Sequence, residues 1–116
     1  MKEINTYEVH IRDGSKIIGH MSCSFRSEEV YIRDLYVLPK HRNKGLEEIL
    51  LSKALDYATE NNAKQTIIYC GAEPFCEDGQ ISLDQEVSWY ERHGFNHDHD
   101  VMGIAPCMVR PAGSSL

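Results

Sequence analysis

The spacing of the hydrophobic residues in this chain changes after Pro39. Before Pro39 apolar residues stand at every second position, as Tyr7, Val9 and Ile11 do, and this alternation indicates half-buried β-strands. After it, over residues 46–58, apolar residues recur at intervals of three and four, which indicates an amphipathic helix. Both periods in one short chain predict a mixed fold in which a helix follows a set of strands.

Turn residues divide the first part of the chain into three predicted strands. Asp13-Gly14 is a strong tight-turn dipeptide, so we expect a hairpin whose second strand covers about residues 16–25. One face of that strand would carry Ile17, Gly19, Met21, Cys23 and Phe25. The polar residues 26–29 form the next turn, and a third strand over residues 30–37 completes a meander.

The first helix is predicted over about residues 45–61. It should end near Asn61-Asn62, because asparagine tolerates the left-handed conformation found at helix C-termini. The β-branched run at residues 66–70 then predicts a short buried strand. A strand, a crossover helix and a second strand imply parallel pairing between the two strands.

The last third of the chain is predicted to hold a loop, a second helix and the closing strands. Residues 71–80 carry Gly, Pro, Glu and Asp without periodicity, which indicates a surface loop. Asp84 can cap a helix over about residues 84–93. Phe95 and the apolar residues between 101 and 109 supply one or two closing strands.

Length and composition bound the domain organisation and the cellular address. A chain of 116 residues, 41% hydrophobic and 26% charged, is sized for one core, so we expect one domain over 1–110 and a flexible tail over 111–116. No apolar run is long enough for a membrane span, and the N-terminus lacks a secretory pattern. The cysteines show no C-x-x-C spacing, which favours reduced thiols. We therefore expect a cytoplasmic protein without a membrane partner.

The charge distribution favours a small anionic ligand over nucleic acid. The formal net charge is −6, whereas nucleic-acid grooves depend on clustered Lys and Arg. Residues 40–44 nevertheless hold three permanent positive charges, and removing these three from the total of −6 leaves −9 for the rest. One basic island in an acidic molecule suggests an anion held at one point.

The junction between the third strand and the first helix is the strongest candidate site. A helix N-terminus offers unpaired backbone N–H groups, and Gly45 lets a ligand approach the backbone closely, so the turn suits a pyrophosphate. Lys40, Arg42 and Lys44 would add positive charge around it. The alternative is a basic turn that is only solvated.

Two motifs in this order resemble those of the GNAT superfamily of N-acetyltransferases. The coenzyme motif of that family, Val-x-Pro-x-x-Arg-x-x-Gly, stands here as Val37, Pro39, Arg42 and Gly45. A second signature, Tyr-x-x-x-Gly-Phe at the end of the last helix, is present at residues 90–95. With the opening meander the resemblance covers roughly residues 5–110.

The resemblance implies an α/β (α+β) fold with a mixed, mostly antiparallel twisted sheet and two main helices. It also implies an acyl-CoA-dependent N-acetyltransferase that uses acetyl-CoA as co-substrate. The backbone amides of residues 42–47 would bind the pyrophosphate, and the pantetheine arm would pair with the strand at residues 35–37. The coenzyme-binding residues implied are Leu35, Tyr36, Val37, Arg42, Asn43, Lys44, Gly45, Leu46 and Glu47.

The implied reaction is direct attack of a neutral primary amine on the thioester. A backbone N–H near Val37 would stabilise the oxyanion, and Tyr90 would protonate the departing thiolate. The alternative for Tyr90 is a helix aromatic that only packs beside Trp89. Asp34 is the catalytic base that we predict, although carboxylates on strands are more often solvated. Glu29 is an alternative base, and His20 and His41 are weaker candidates.

The sequence departs from the family pattern in three respects. Glu47 occupies a position that is usually Gly or Ala, where its charge would compete with a phosphate for the helix dipole. Glu86 stands where a small residue is common. Nothing corresponds to the first strand and the two helices of the family, so the acceptor site would be open or completed by a second subunit in a homodimer. An open site fits a protein N-terminus or a lysine better than a small amine.

These departures leave a second function open, a catalytically silent CoA-binding or protein-interaction domain. The histidines at 93, 97 and 99, with Asp98 and Asp100, offer metal-ligand chemistry, but a polar turn is favoured and we predict no metal site. Cys70 and Cys76 flank the acidic loop, and idle thiols are favoured over redox-sensitive ones.

Overall fold

The computed structural model of the chain describes residues 5–70, 83–101 and 105–112. Within these ranges it contains six strands, two α-helices and one short 3₁₀ turn at Pro39–His41. In chain order the elements are β1 (Asn5–Asp13), β2 (Lys16–Arg26), β3 (Glu29–Val37), α1 (Leu46–Glu60), β4 (Gln65–Tyr69), α2 (Leu83–Arg92), β5 (Asn96–Val101) and β6 (Ala105–Pro111). The predicted meander, both helices and the β4 strand are confirmed.

All six strands belong to one sheet in the order β1-β2-β3-β4-β6-β5. The β3 and β4 strands are parallel and the other neighbours are antiparallel. The parallel pair follows from the crossover through α1, since parallel neighbours need a long connection. The sheet is therefore mixed and mostly antiparallel, as predicted.

The α1 helix ends where the sequence predicted, at an asparagine in the left-handed conformation. Asn62 takes a φ of +55°, and the N–H of Ala63 donates to the carbonyl of Ala58 at 2.9 Å. The N–H of Asn62 donates to the carbonyl of Thr59 at 3.1 Å. These two bonds close a Schellman motif, which satisfies carbonyls that the helix leaves without a partner.

The predicted face of β2 is wrong at its first residue. Ile17 is 40% exposed whereas Ile18 is 7% exposed. The cause is a β-bulge: Ile11 faces Gly19 but Arg12 faces Ile17, so Ile18 is the extra residue in β2. Because side chains alternate across a strand, one extra residue moves Ile17 off the inner face.

The polar turn that we predicted at residues 97–100 is also wrong, because these residues form most of β5. Their backbone pairs with β6, so the polar side chains do not prevent strand formation. The β5 strand lies at the sheet edge, where charged side chains discourage pairing with other chains. His97 pairs with Asp100 at 2.8 Å and His99 with Asp98 at 2.6 Å, all of them exposed.

One apolar core joins the inner face of the sheet to both helices. Its fully buried side chains include Met21, Val30, Val37, Leu50, Leu51, Phe95 and Met108. Cys23, Cys70 and Cys107 are buried free thiols, and burial raises the pKa of Cys23 to about 11. Buried thiols with raised pKa values are inert, which agrees with idle cysteines.

Some sequence-based predictions fall outside the described residues. The acidic loop at 71–80, including Cys76, is one of them. The end of the predicted tail, residues 113–116, is another. Pro111 closes β6, and the N–H of Ala112 donates to the carbonyl of Lys64 at 2.8 Å.

Candidate active site

The two halves of β3 differ in what they pair with. Residues 29–32, here called the closed half, pair with β2 on one side and with β4 on the other. The pairing with β4 runs from Glu29 opposite Gln65 to Ile32 opposite Ile68 and ends there. Residues 33–37, here called the open half, pair with β2 alone among the described strands.

A bulge in β3 marks the boundary between the halves. Cys23 faces Ile32 and Ser22 faces Asp34, so Arg33 is the extra residue. Bulges bend a strand and increase its twist, which directs the open half away from β4. The gap that results is a place where backbone groups of β3 can meet a ligand.

A pocket adjoins the open half, with about 560 Å³ of empty space that is partly open to solvent. Its lining residues come from β3, the following turn, α1 and α2: Leu35, Tyr36, Val37, Arg42, Glu47, Glu86, Trp89 and Tyr90. Six of these were named as site residues from the sequence. Glu86 had been noted only as a departure from the family pattern, and Trp89 only as a packing neighbour.

The turn after β3 is built to start a helix without a side-chain cap. Asn43 and Gly45 have φ values of +62° and +84°, a conformation that glycine adopts at least cost. Gly45 is the N-cap of α1, and as a glycine it offers no side-chain hydrogen bond to the N-terminal amides of the helix. Amides in such a turn and at a helix N-terminus are positioned to bind an anion.

Of the predicted turn residues, Arg42 reaches the pocket while Asn43, Lys44 and Gly45 are exposed beside it. The Arg42 Nε donates to the carbonyl of Val37 at 2.9 Å. Its guanidinium lies 5.5 Å from the centre of the Tyr36 ring, within range of a cation–π contact. Arg42 therefore fixes the turn against the end of β3.

Glu47 directs a buried acceptor into this region. Its Oε1 is buried and has no hydrogen-bond partner among the described residues. Glu47 lies in the first turn of α1, where the helix dipole favours a negative charge. An unpaired buried acceptor costs about 1–3 kcal/mol, so a ligand that donates to it would recover stability.

Tyr90 is held in place by the end of α2. The N–H of Phe95 donates to the Tyr90 carbonyl at 3.1 Å, and the N–H of Gly94 donates to that of Glu91 at 3.2 Å. Gly94 has a φ of +89°, which completes a Schellman motif. The Phe95 ring packs edge-on against Tyr90 at 5.2 Å. The Tyr-x-x-x-Gly-Phe signature is thus a helix end that fixes its tyrosine.

The Tyr90 hydroxyl keeps its proton. The side chain is 4% exposed, and burial followed by the charge of Glu86 raises its pKa well above the ordinary value. A phenol that is protonated at neutral pH can act as a proton donor.

Glu86 lies four residues before Tyr90 on α2, so both project from the same helix face. After burial, the negative charge of Glu86 and a hydrogen bond to its side chain raise the pKa of the Cys70 thiol. The i, i+4 spacing to Tyr90 was the available sequence signal for Glu86.

A separate contact joins α2 to the first turn of α1. Trp89 Nε1 donates to Glu48 Oε2 at 3.2 Å, and His93 Nε2 lies 3.6 Å from the same oxygen. The two rings stack at 4.2 Å. This contact positions α2, which carries Tyr90, against α1, which begins directly after the basic turn at residues 40–44.

The bases predicted from the sequence lie outside the pocket lining. Asp34 Oδ2 accepts a hydrogen bond from Ser22 Oγ at 3.0 Å, and Glu29 Oε1 accepts one from Tyr31 at 2.8 Å. The ring of His20 lies 5.8 Å from that of Tyr36. His41 belongs to the short turn that begins at Pro39. A catalytic role for any of them stays a prediction.

Two further features concern the part of the chain that the structure describes: groups of metal-ligating side chains and membrane-spanning helices. No three His, Cys, Asp or Glu side chains there are grouped as ligands of a metal ion. No helix among those residues is long and apolar enough to cross a membrane.

Similar solved structures share the fold. The chain superposes on the PaiA N-acetyltransferase of Thermoplasma acidophilum, solved with coenzyme A, with a TM-score of 0.72 and 17% identity, covering 91% of this chain and 60% of that one. For a GNAT family acetyltransferase of Elizabethkingia anophelis, solved with acetyl-CoA, the TM-score is 0.68 and the identity 16%. The match covers 90% of this chain and 74% of that one. For the anti-CRISPR protein AcrVA5 the TM-score is 0.69 and the identity 22%, and the match covers 90% of this chain and 96% of that one. This chain thus spans less than two thirds of the Thermoplasma protein.

The sequence itself also carries the family signal. No curated protein sequence matches the chain significantly. The profile described as Acetyltransferase (GNAT) family matches residues 3–95, which includes the open half of β3, the basic turn and the α2 signature. The chain belongs to the GNAT acetyltransferase family.

Proposed function

We propose that the protein transfers an acetyl group from acetyl-CoA to a primary amine. One observation carries this proposal: the open half of β3 faces a pocket that Tyr90 lines and that the basic turn adjoins. This reaction needs a strand edge for the pantetheine arm, a turn for the pyrophosphate and a proton donor. The open half of β3, residues 42–47 and Tyr90 would supply these three parts.

The coenzyme would lie across these parts in one direction. Its pyrophosphate would bind the backbone amides of residues 42–47, with Lys44 and Arg42 supplying positive charge. Its pantetheine arm would hydrogen-bond to Leu35, Tyr36 and Val37 as a partial extra strand. Family members solved with coenzyme A and with acetyl-CoA support a ligand of this class.

The chemical step would be a direct attack of the amine nitrogen on the thioester carbonyl. A backbone N–H near Val37 would stabilise the oxyanion, and Tyr90 would give its proton to the departing sulfur. Asp34 is the base predicted from the sequence. The acceptor is a small molecule or a protein amine, and a homodimer is one arrangement that could complete its site.

Glu47 favours a second candidate function, a coenzyme-binding or protein-interaction domain without transferase activity. Its Oε1 is buried without a hydrogen-bond partner among the described residues, and it places negative potential beside the pocket and the turn proposed to bind the phosphates. A carboxylate there opposes phosphate binding, which would slow or abolish turnover.

Calorimetric titration with acetyl-CoA, followed by loss of thioester absorbance on addition of amines, separates these functions. The transferase predicts micromolar binding, amine-dependent thioester loss and a large loss of affinity in the Arg42→Ala, Lys44→Ala double variant. Lys53→Ala with Lys64→Ala, two exposed lysines away from the turn, is the matched control for charge. Binding without turnover would support the silent domain, and no binding would exclude both.

A further inference from the structure

The pocket combines carboxylates with aromatic rings. Glu47 and Glu86 line it together with Tyr36, Trp89 and Tyr90. Among the described lining residues the one cation is Arg42, which donates to the Val37 carbonyl and lies over the Tyr36 ring. Carboxylates and aromatic faces attract ammonium groups, so the part of the lining that α2 supplies favours a cationic ligand.

Glu86 is the carboxylate nearer to the place of reaction. It lies four residues, a rise of about 6 Å, before Tyr90 on the same face of α2. Glu47 lies instead in the first turn of α1, where the coenzyme phosphates are proposed to bind. Asp34 is engaged with Ser22 and does not line the pocket.

We infer that Glu86 binds the ammonium group of a cationic amine acceptor and accepts the proton that this group must lose before attack. The inference rests on the proposed function and names the substrate class and the base for that site. It also gives a reason for a carboxylate where the family usually has a small residue.

Glu86, Tyr90 and solvent together account for every proton in the reaction. The ammonium gives one proton to the Glu86 carboxylate, and the freed lone pair forms the C–N bond to the thioester carbon. The C–S bond breaks, and the sulfur takes the proton of the Tyr90 hydroxyl. Tyr90 recovers a proton from the nitrogen, and Glu86 releases its proton to solvent. The products are the acetamide, the coenzyme thiol and one proton.

The charge of Glu86 couples the base to the acid. While Glu86 is ionised, its charge helps to hold the proton on Tyr90 by raising the pKa of that phenol. Once Glu86 has taken a proton, that contribution disappears and Tyr90 becomes a stronger acid when the thiolate leaves. The other titratable groups that face Glu86 are Cys70, directly after β4, and Glu47 and Arg42, which line the same pocket.

The test compares Glu86→Gln with wild type on two kinds of amine. Cadaverine and a lysine peptide carry ammonium groups at neutral pH, whereas an aniline is already neutral. For the ammonium acceptors we expect kcat/KM to fall about 10²-fold, with an unchanged KM for acetyl-CoA. For the aniline we expect little change. Glu86→Asp, which keeps a carboxylate, should recover part of the loss.

Glu91→Gln is the matched control, since this exposed neighbour of Tyr90 undergoes the same charge change on the same helix. Equal losses on both kinds of amine would assign Glu86 a structural role and overturn the inference, as would wild-type turnover that Glu86→Gln leaves unchanged. In both cases the proposed acetyl transfer stands. Failure of the wild type to bind acetyl-CoA would overturn the proposed function and the inference together.

Discussion

The closed and open halves of β3 belong to one strand but differ in what lies beside them. In the closed half Val30 and Ile32 are 0% and 3% exposed and are paired with strands on both sides. In the open half Leu35 and Tyr36 are half-buried and line a pocket. A single bulge at Arg33 separates a stretch that stabilises the sheet from a stretch that is available to a ligand. Stability and binding should therefore respond to different residues that lie as little as three positions apart.

The largest expected effect concerns the acid beside the open half. Tyr90→Phe removes one hydroxyl and keeps the ring that packs on Phe95, so the melting temperature should change little. We expect kcat to fall about 10²- to 10⁴-fold, because the thiolate would leave without its proton donor. Steady-state kinetics at saturating acetyl-CoA measure this. An unchanged kcat would reduce Tyr90 to a packing residue.

A pair of truncations tests the comparison directly. Ile32→Ala in the closed half should lower the free energy of unfolding by about 2–5 kcal/mol and leave coenzyme affinity nearly unchanged in the folded protein. Leu35→Ala in the open half should cost less stability and weaken acetyl-CoA binding. Urea unfolding measures the free energy of unfolding of both variants, and calorimetry measures their affinity for acetyl-CoA. Similar effects of the two variants on both properties would remove the distinction between the halves.

Replacement of Glu47 is expected to strengthen the binding of coenzyme A. Glu47→Ala removes a buried oxygen that has no partner among the described residues, together with a negative charge beside the turn proposed to bind the phosphates. We expect affinity for coenzyme A to rise about fivefold, roughly 1 kcal/mol. Glu60→Ala, at the exposed far end of the same helix, should leave the affinity as it is. Weaker binding in Glu47→Ala would mean that the carboxylate contacts the ligand favourably.

The smallest expected effect lies next to the closed half. Glu28 and Lys64 form an ion pair at 3.1 Å with side chains 67% and 73% exposed. Glu28→Gln should change the free energy of unfolding by less than about 1 kcal/mol, since solvent screens such pairs. Thermal melts at low and high salt measure this. A larger loss would show that this turn contributes to the closed half through its charges.

The sequence predicted best what local chemistry determines. Asn62 and Gly94 end the two helices because each residue takes the left-handed conformation there, and both ends were placed within one residue. Arg42 and Tyr90 were placed in one site because both belong to motifs with a recognisable spacing. The structure brings both side chains to the lining of one pocket, and their roles in binding and catalysis stay predictions.

What the sequence did not predict depends on how elements meet. The bulges at Ile18 and Arg33 arise from strand pairing, so alternation alone assigned Ile17 to the wrong face. The β5 strand forms because β6 supplies its partners, despite the polar side chains. The place of Glu86 in the pocket depends on how α2 packs against the bent sheet.

Amide hydrogen exchange with and without coenzyme A tests the central claim most directly, because it reports on the two halves of β3 in one experiment. We predict that coenzyme A slows exchange at residues 35–37 and 42–47, while residues 30–32, already paired on both sides, change little. Binding of coenzyme A with no added protection in the open half would contradict the account.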